Sequence, residues 1–133
     1  MSLLVDTSVW SLAFRSDHAS DGVSQVQTLE DAIDNGEEIY STGLILQELL
    51  QGFSKPKSKK AILERFSSIP VLVPDILDHR EAAEIRIECR SKGIQIETID
   101  ALIAQLSLRY ELRLLSTDKD FVNMTKVRKL KLA

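Results

Sequence analysis

Apolar residues recur along this chain in two rhythms. Leu3 to Val5 is an unbroken apolar run, too short for a helix and suited to a strand buried on both faces. Between Val23 and Asn35, the residues Val23, Val26, Leu29, Ala32 and Ile33 recur at helical spacing, and Gly36 can end that helix. Glu38 to Ser41 predicts a second strand. Thr42 is placed to cap a helix through Gln51, with Gly52 as its stop. Lys57 to Ser68 is amphipathic, with Ile62, Leu63 and Phe66 expected to face inward. Ile69 to Val73 predicts a strand that Pro70 confines to a sheet edge.

Asp78 followed by Glu81 has the spacing of a capping box, so a strong helix is expected to open at Asp78. It should reach about Lys92 and stop at Gly93. Thr98 is the expected cap of the next helix, whose Ile99, Leu102, Ile103 and Leu106 share helical spacing. Leu112 to Leu115 predicts a strand, Asp118 to Met124 a short helix, and the alternation in Val127 to Leu132 an edge strand. Strands alternating with helices predict an α/β fold with a mainly parallel sheet covered on both faces. No repeat or linker interrupts the 133 residues, so one domain spanning residues 1–133 is expected.

Composition adds bounds. The chain is 44% apolar and 28% charged, which is ordinary for a globular protein with a real core. Cys89 is the single cysteine, so no internal disulfide can form, as suits a reducing compartment. The apolar runs are too short for a signal sequence or a membrane span, and the expected location is the cytoplasm. A net charge of −3 gives no general attraction to nucleic acid, so recognition of a polyanion would rest on local features.

Four carboxylates stand out. Asp6 ends the apolar strand in LLVDTSVW, where open α/β sheets bind ligands; it could equally cap a helix starting near Thr7. Asp118, in LLSTDKDF, repeats that logic after a later strand, with a cap or turn as the alternative. Asp100 lies in the first turn of a helix, where the dipole alone favours an acid, yet Ile99 and Ala101 flank it. Glu48 interrupts the apolar LILQELL; it is either a functional group or part of an exposed edge shared with Gln47 and Gln51. Clustered carboxylates repel and shift toward protonation unless compensated. A hard divalent cation resolves that conflict and leaves room for substrate phosphate. The chemistry it suits is phosphodiester hydrolysis.

The order and spacing of four segments resemble those of the PIN-domain ribonucleases, most closely the VapC-type toxins of bacterial toxin–antitoxin pairs. The segments are LLVDTSVW, LILQELLQG, GIQIETIDALIAQLSLRY and LLSTDKDF, and the likeness spans nearly the whole chain. The resemblance implies a three-layer α/β/α sandwich and metal-dependent cleavage of RNA. It implies that Asp6, Glu48, Asp100 and Asp118 are the catalytic quartet holding Mg²⁺ or Mn²⁺, as one or two ions. Thr7, Ser8 and Ser116 match hydroxyl positions that support the carboxylates, and Asp120 matches a further acidic position. A homodimer and a separate small antitoxin chain are implied as partners, with RNA as substrate. Gln105 departs from the smaller residues common in the family and is expected on the outer face of its helix. The alternative is the same fold serving as a weakly catalytic RNA- or protein-binding module, which a lost quartet member would have favoured. A phosphotransfer receiver domain also places aspartates at strand ends, but it gives Glu48 no role.

Other residues carry weaker signals. Lys55, Lys57, Lys59 and Lys60, then Arg86, Arg90 and Lys92, then Lys126, Arg128, Lys129 and Lys131 form three basic groups. Each could meet RNA phosphates, or be a solvated face with Glu84 and Glu88 as helical partners. Trp10, Leu12 and Phe14 are expected in the core or an interface rather than stacked on a base. His18 and His79 lack zinc-site spacing. Cys89 is expected to be an inert buried thiol, and Glu97 an exposed loop carboxylate.

Overall fold

The computed structural model describes residues 2–15 and 23–133. His18 and the Val23 side chain lie outside what is described. The chain runs β1 (Leu3–Val5), α1 (Thr7–Phe14), α2 (Val23–Asp34), β2 (Ile39–Thr42), α3 (Gly43–Gln51), α4 (Pro56–Phe66), β3 (Val71–Leu72), α5 (Ile76–Ser91), α6 (Thr98–Arg109), β4 (Arg113–Leu115), α7 (Lys119–Met124) and β5 (Lys131–Leu132).

The strands form one sheet in the order β3-β2-β1-β4-β5, and every pairing is parallel. Leu3, Leu4 and Val5 are fully buried, as are Leu114 and Leu115 in β4. Consecutive residues of a strand point to opposite faces, so both faces of the central sheet are covered. Helices supply the cover: α1 packs with α2 and α3, α5 packs extensively with α6, and α6 meets α7. Trp10 lies in this core against Phe14 and Phe66, with ring centroids 6.0 and 5.0 Å away. That places its indole in packing rather than base stacking.

Connectivity fixes where a ligand crevice can form. From β1 the chain builds outward through β2 to β3, then returns to add β4 on the other side of β1. The strand order therefore reverses between β1 and β4, and at such a switch point a crevice opens beyond the carboxyl ends of the strands. Asp6 directly follows β1, and Ser116, Thr117 and Asp118 follow β4. The Asp6 N–H donates to Leu115 O at 2.9 Å, which ties the two strand ends together.

Several local expectations shift. β2 begins at Ile39 rather than Glu38, although the Glu38 carbonyl still accepts from the Leu3 N–H at 2.9 Å. Thr42 does cap α3, its hydroxyl accepting from the Ile45 N–H at 3.1 Å. In α4, Ile62 and Phe66 are buried at i, i+4 spacing, but Leu63 is 52% exposed, since it points about 100° away around the helix. The cap of α5 is Asp75, not Asp78. Asp75 accepts from the Asp78 N–H, and the Asp78 carboxylate accepts from the Asp75 N–H, so the capping box sits three residues earlier than the Glu81 pattern suggested. Gly93 then ends the segment at φ +75°, a left-handed conformation that glycine adopts without strain. Thr98 is the first residue of α6 rather than its cap; Glu97 holds the cap position without a side-chain bond. β3 and β5 shrink to two residues each, both at sheet edges as expected. Gln105 is half-buried and donates to Asp78, so it faces α5 instead of solvent.

Candidate active site

Asp6 occupies the N-cap position of α1, yet its side chain makes no capping bond. The carboxylate is instead held by hydroxyls. Ser8 Oγ and Ser116 Oγ each donate to Asp6 Oδ2 at 2.8 Å. The two serines lie 3.2 Å apart, so one hydroxyl from each strand end is fastened to the same oxygen. Ser8 Oγ also accepts from the Thr117 N–H, and Ser116 Oγ from the Asp118 N–H. These bonds lock the loop after β4 onto the end of β1. Asp6 is only 6% exposed, and no Lys, Arg or His pairs with it among the described residues.

The other carboxylates are placed by helix ends. Asp118 caps α7, its Oδ1 accepting from the Asp120 N–H at 2.9 Å. The capping alternative and a place in the crevice thus coexist in one residue, since Oδ2 is not used by the cap. Asp100 lies in the first turn of α6. Glu48 does not join the Gln47–Gln51 edge, where the two glutamines bond each other. Its Oε1 accepts from Thr7 Oγ1 at 3.1 Å, which turns it toward the start of α1.

Asp100 is where the negative charges meet. Burial raises its pKa, and the fields of Asp6, Asp118, Asp120 and Glu48 raise it further, to about 7. All three other quartet members therefore act on this one group. No hydrogen bond reaches its carboxylate from any described residue. The tightest cluster is Asp100, Asp118 and Asp120, with carboxylate oxygens all within 4.8 Å of one another. Asp120 is raised too, by burial, then by Asp118 and by Glu97. Asp120 thus sits closer to the centre of this cluster than its supporting position in the sequence motif implied. Glu97 is exposed, but it adds charge to the same rim. Its spacing of three residues before Asp100 was the signal for it.

The donor set is hard oxygen throughout, partly buried and lacking a protein cation. That composition fits Mg²⁺ or Mn²⁺ and disfavours metals that prefer sulfur or imidazole. His79 and Cys89 join no such cluster among the described residues. Cys89 is buried, and burial pushes its thiol pKa up, so it is unreactive. Of the basic groups, Arg128 is committed to Glu88 in a bidentate ion pair. Arg86 donates to Ile96 O and Thr98 Oγ1, bracing the loop that enters α6. Neither Arg86 nor Arg90 pairs with Glu84 or Glu88 among the described residues. No described helix is long and apolar enough to cross a membrane.

Comparison with known proteins agrees with this fold. Residues 3–127 match the PIN domain. Ribonuclease VapC11 of Mycobacterium tuberculosis is 29% identical over 133 residues, covering 98% of this chain and 97% of that one. VapBC2 from Rickettsia felis, solved bound to a DNA fragment from its promoter, superposes with a TM-score of 0.76 at 21% identity, covering 100% of this chain and 98% of its own. Mycobacterium tuberculosis VapC20, described as a sarcin-ricin loop cleaving toxin, superposes with a TM-score of 0.69 at 17% identity, covering 90% of this chain and 92% of its own.

Proposed function

The chain belongs to the PIN-domain family, and from that premise we propose that it is a metal-dependent endoribonuclease acting as the toxin of a toxin–antitoxin pair. The observation that carries the reading is Asp100: a half-buried carboxylate facing four neighbouring acids, raised to about 7 by burial and then by their charge, with no protein cation beside it. A site so charged is incomplete by itself, and a divalent cation is the simplest group that completes it. The ribonuclease name of the VapC11 relative supports the reaction. The two-component VapBC2 structure supports a separate antitoxin chain as partner, and a cytoplasmic location is part of the same proposal.

Asp6, Asp100 and Asp118 would hold the ion or ions, with Glu48 and Asp120 completing the set. Bound there, Mg²⁺ or Mn²⁺ would supply Lewis-acid polarisation of a phosphoryl oxygen and a lowered pKa for water. The protein's own part is positional. Ser8 and Ser116 fix Asp6 by one oxygen, and Thr7 fixes Glu48 in the same way. The N–H of Asp120 fixes Asp118. Each leaves its second carboxylate oxygen for a ligand. Water held against these oxygens would give its proton to a carboxylate while its oxygen attacks phosphorus in line, breaking the opposite P–O bond. No histidine is required as general base.

The test is direct. Purified protein should cut RNA internally in Mg²⁺ or Mn²⁺, stop when chelator is added, and lose at least about a hundredfold in rate as Asp6→Asn or Asp100→Asn. Cleavage that persists in chelator, or that either variant leaves unchanged, contradicts the site. RNA binding without turnover across several RNAs and both metals would replace the enzyme with a binding module.

A further inference from the structure

Arg86 is a half-buried cation that bonds only to neutral groups. Its Nε donates to Ile96 O at 2.9 Å, and its Nη1 donates to Thr98 Oγ1 at 3.2 Å. No carboxylate pairs with it among the described residues. A charge withdrawn from water is ordinarily matched by an opposite one. Arg86 is therefore the counterpart of Asp100: a cation without its anion, where Asp100 is an anion without its cation. The two are held at one helix start, since Thr98 and Asp100 both lie in the first turn of α6. One turn further along α5, Arg90 is exposed and also forms no ion pair among the described residues. Positions 86 and 90 share a helix face, and the two arginines line two cavities in common. The larger, about 520 Å³, is also bounded by Leu44, His79, Thr98 and Ile99. The smaller, about 130 Å³, is bounded by residues 94–96. Ile99 precedes Asp100, and Leu44 lies one turn before Glu48 on α3, so the larger cavity adjoins the elements that carry the acidic crevice.

We propose that Arg86 and Arg90 seat a backbone phosphate of the RNA strand flanking the scissile one, and so set the register of the strand over Asp100. This placement rests on the ribonuclease reading of the crevice. A metal ion offsets the acids only where it is bound, and the chain as a whole carries a net charge of −3, so the flanking phosphates need cations beside the crevice. Most of the other basic residues stand elsewhere or are spent: Arg128 is committed to Glu88, and Arg109 to Asp75 and Asp78. Arg86 is suited to the task by what already holds it. A guanidinium has five N–H donors in a rigid plane. Two are used on Ile96 O and Thr98 Oγ1, which fixes the plane and leaves the others for phosphate oxygens. The same residue thus grips the loop that enters α6 and the strand that crosses it. Arg90 adds a second cation on the same face, free to close on the phosphate from the side. Arg86 is a positioning residue in this scheme, and Arg90 a substrate-binding one.

Two readouts on the full chain separate this seat from the catalytic site. The first is cleavage of a short single-stranded RNA. The second is binding of the same RNA by the Asp6→Asn chain at several salt concentrations. Arg90→Gln should raise KM at least about fivefold with kcat within about twofold of wild type. In the Asp6→Asn background it should weaken RNA binding to a similar degree and make the salt slope shallower by about 0.7, the loss of one phosphate contact to a single strand. Arg90→Lys keeps the charge and should recover most of the affinity. Arg86→Gln should raise KM and also lower kcat, because it releases the start of α6, and Arg86→Lys should recover the salt slope but not kcat. Mn²⁺ affinity should be unchanged in Arg90→Gln. Arg90 is exposed, so unchanged circular dichroism is the check on folding. A wild type that cuts RNA while Arg90→Gln leaves KM and the salt slope unmoved overturns the seat and spares the ribonuclease reading; the cavity would then serve another protein. Lost affinity with an unaltered salt slope overturns it too, since the arginine would be packing rather than meeting phosphate. RNA binding that shows the expected slopes in a chain that never cuts overturns the ribonuclease reading and upholds the seat.

Discussion

Two acids of this molecule, one buried and one half-buried, have opposite fates. Asp78 is 1% exposed at the junction of α5 and α6. Burial alone would raise its pKa, but the Asp75 N–H, the Gln105 amide and the Arg109 guanidinium outweigh burial and hold it below the usual carboxylate range. Arg109 Nη1 lies 2.5 Å from Asp78 Oδ2 and 3.3 Å from Asp75 Oδ2. Asp100 sits on the same helix as Arg109, with more solvent than Asp78 and far less support. Its neighbours are acids, and its pKa rises to about 7. Burial therefore does not distinguish a structural acid from a functional one; the partner does. Asp78 has its cation within the fold, and Asp100 is left to receive one from outside.

This contrast can be broken or sharpened experimentally. The largest expected effect is at the satisfied acid. Asp78→Ala strands Arg109 and removes half of the α5 capping box, so denaturant unfolding should show a loss of about 2–4 kcal/mol. RNA cleavage per folded molecule should stay near wild type, because the pair lies at the far end of α6 from Asp100. Loss of activity without loss of stability would erase the distinction. Next in size is the support of the site. Ser116→Ala removes one of two hydroxyls on Asp6 and the acceptor for the Asp118 N–H. Cleavage should fall about tenfold, the effect usual for a group that orients a metal ligand, with little change in unfolding.

The smallest effect is a pH signature of opposite sign at the two acids. The folded protein without metal binds a proton at Asp100 that the unfolded chain releases near pH 4. That contribution is fully present below about pH 4 and fades as pH rises through about 7. Asp78 behaves conversely: its contribution is present above the ordinary carboxylate range and fades as pH falls through its lowered value. In chelator at pH 8, Asp100→Asn should be more stable than wild type by about 1 kcal/mol, a figure reduced for solvent screening at a half-exposed group. The gap should narrow toward pH 5. A variant no more stable than wild type at pH 8 would mean that Asp100 is not strained by its neighbours.

Much of this was legible in the chain because local signals and tertiary demands coincide. The run Leu3–Val5, the Thr42 cap and the Gly93 stop each have one local explanation, and the fold uses it. The edge position of β3 followed from Pro70, which cannot donate to a strand ladder. What failed was choice between near-equivalent local signals. Asp75 and Asp78 both suit a helix start, and only Arg109, thirty-one positions on from Asp78, shows why Asp78 must be inside the helix. Gln105 looked solvent-facing because its partner is on another helix. At the crevice, the sequence pointed to Asp6, Glu48, Asp100 and Asp118 as a set. It did not show that Asp100 is the point on which the other charges converge, or that Asp120 stands in the tightest cluster. Those facts depend on where two strand ends and two helix starts meet in space.

The central claim is that the acidic cluster around Asp100 takes a divalent cation. Calorimetric titration of Mn²⁺ into the protein at pH 7, in buffers of differing ionisation enthalpy, measures affinity and proton release together. Wild type should bind Mn²⁺ and release protons as it does so, because burial and the neighbouring acids raise the pKa of Asp100 to about 7 and favour its protonated form before the ion arrives. Asp100→Asn should bind at least about tenfold more weakly and release almost none. Wild type that binds no Mn²⁺, or binds it as Asp100→Asn does and with the same proton count, would contradict the account.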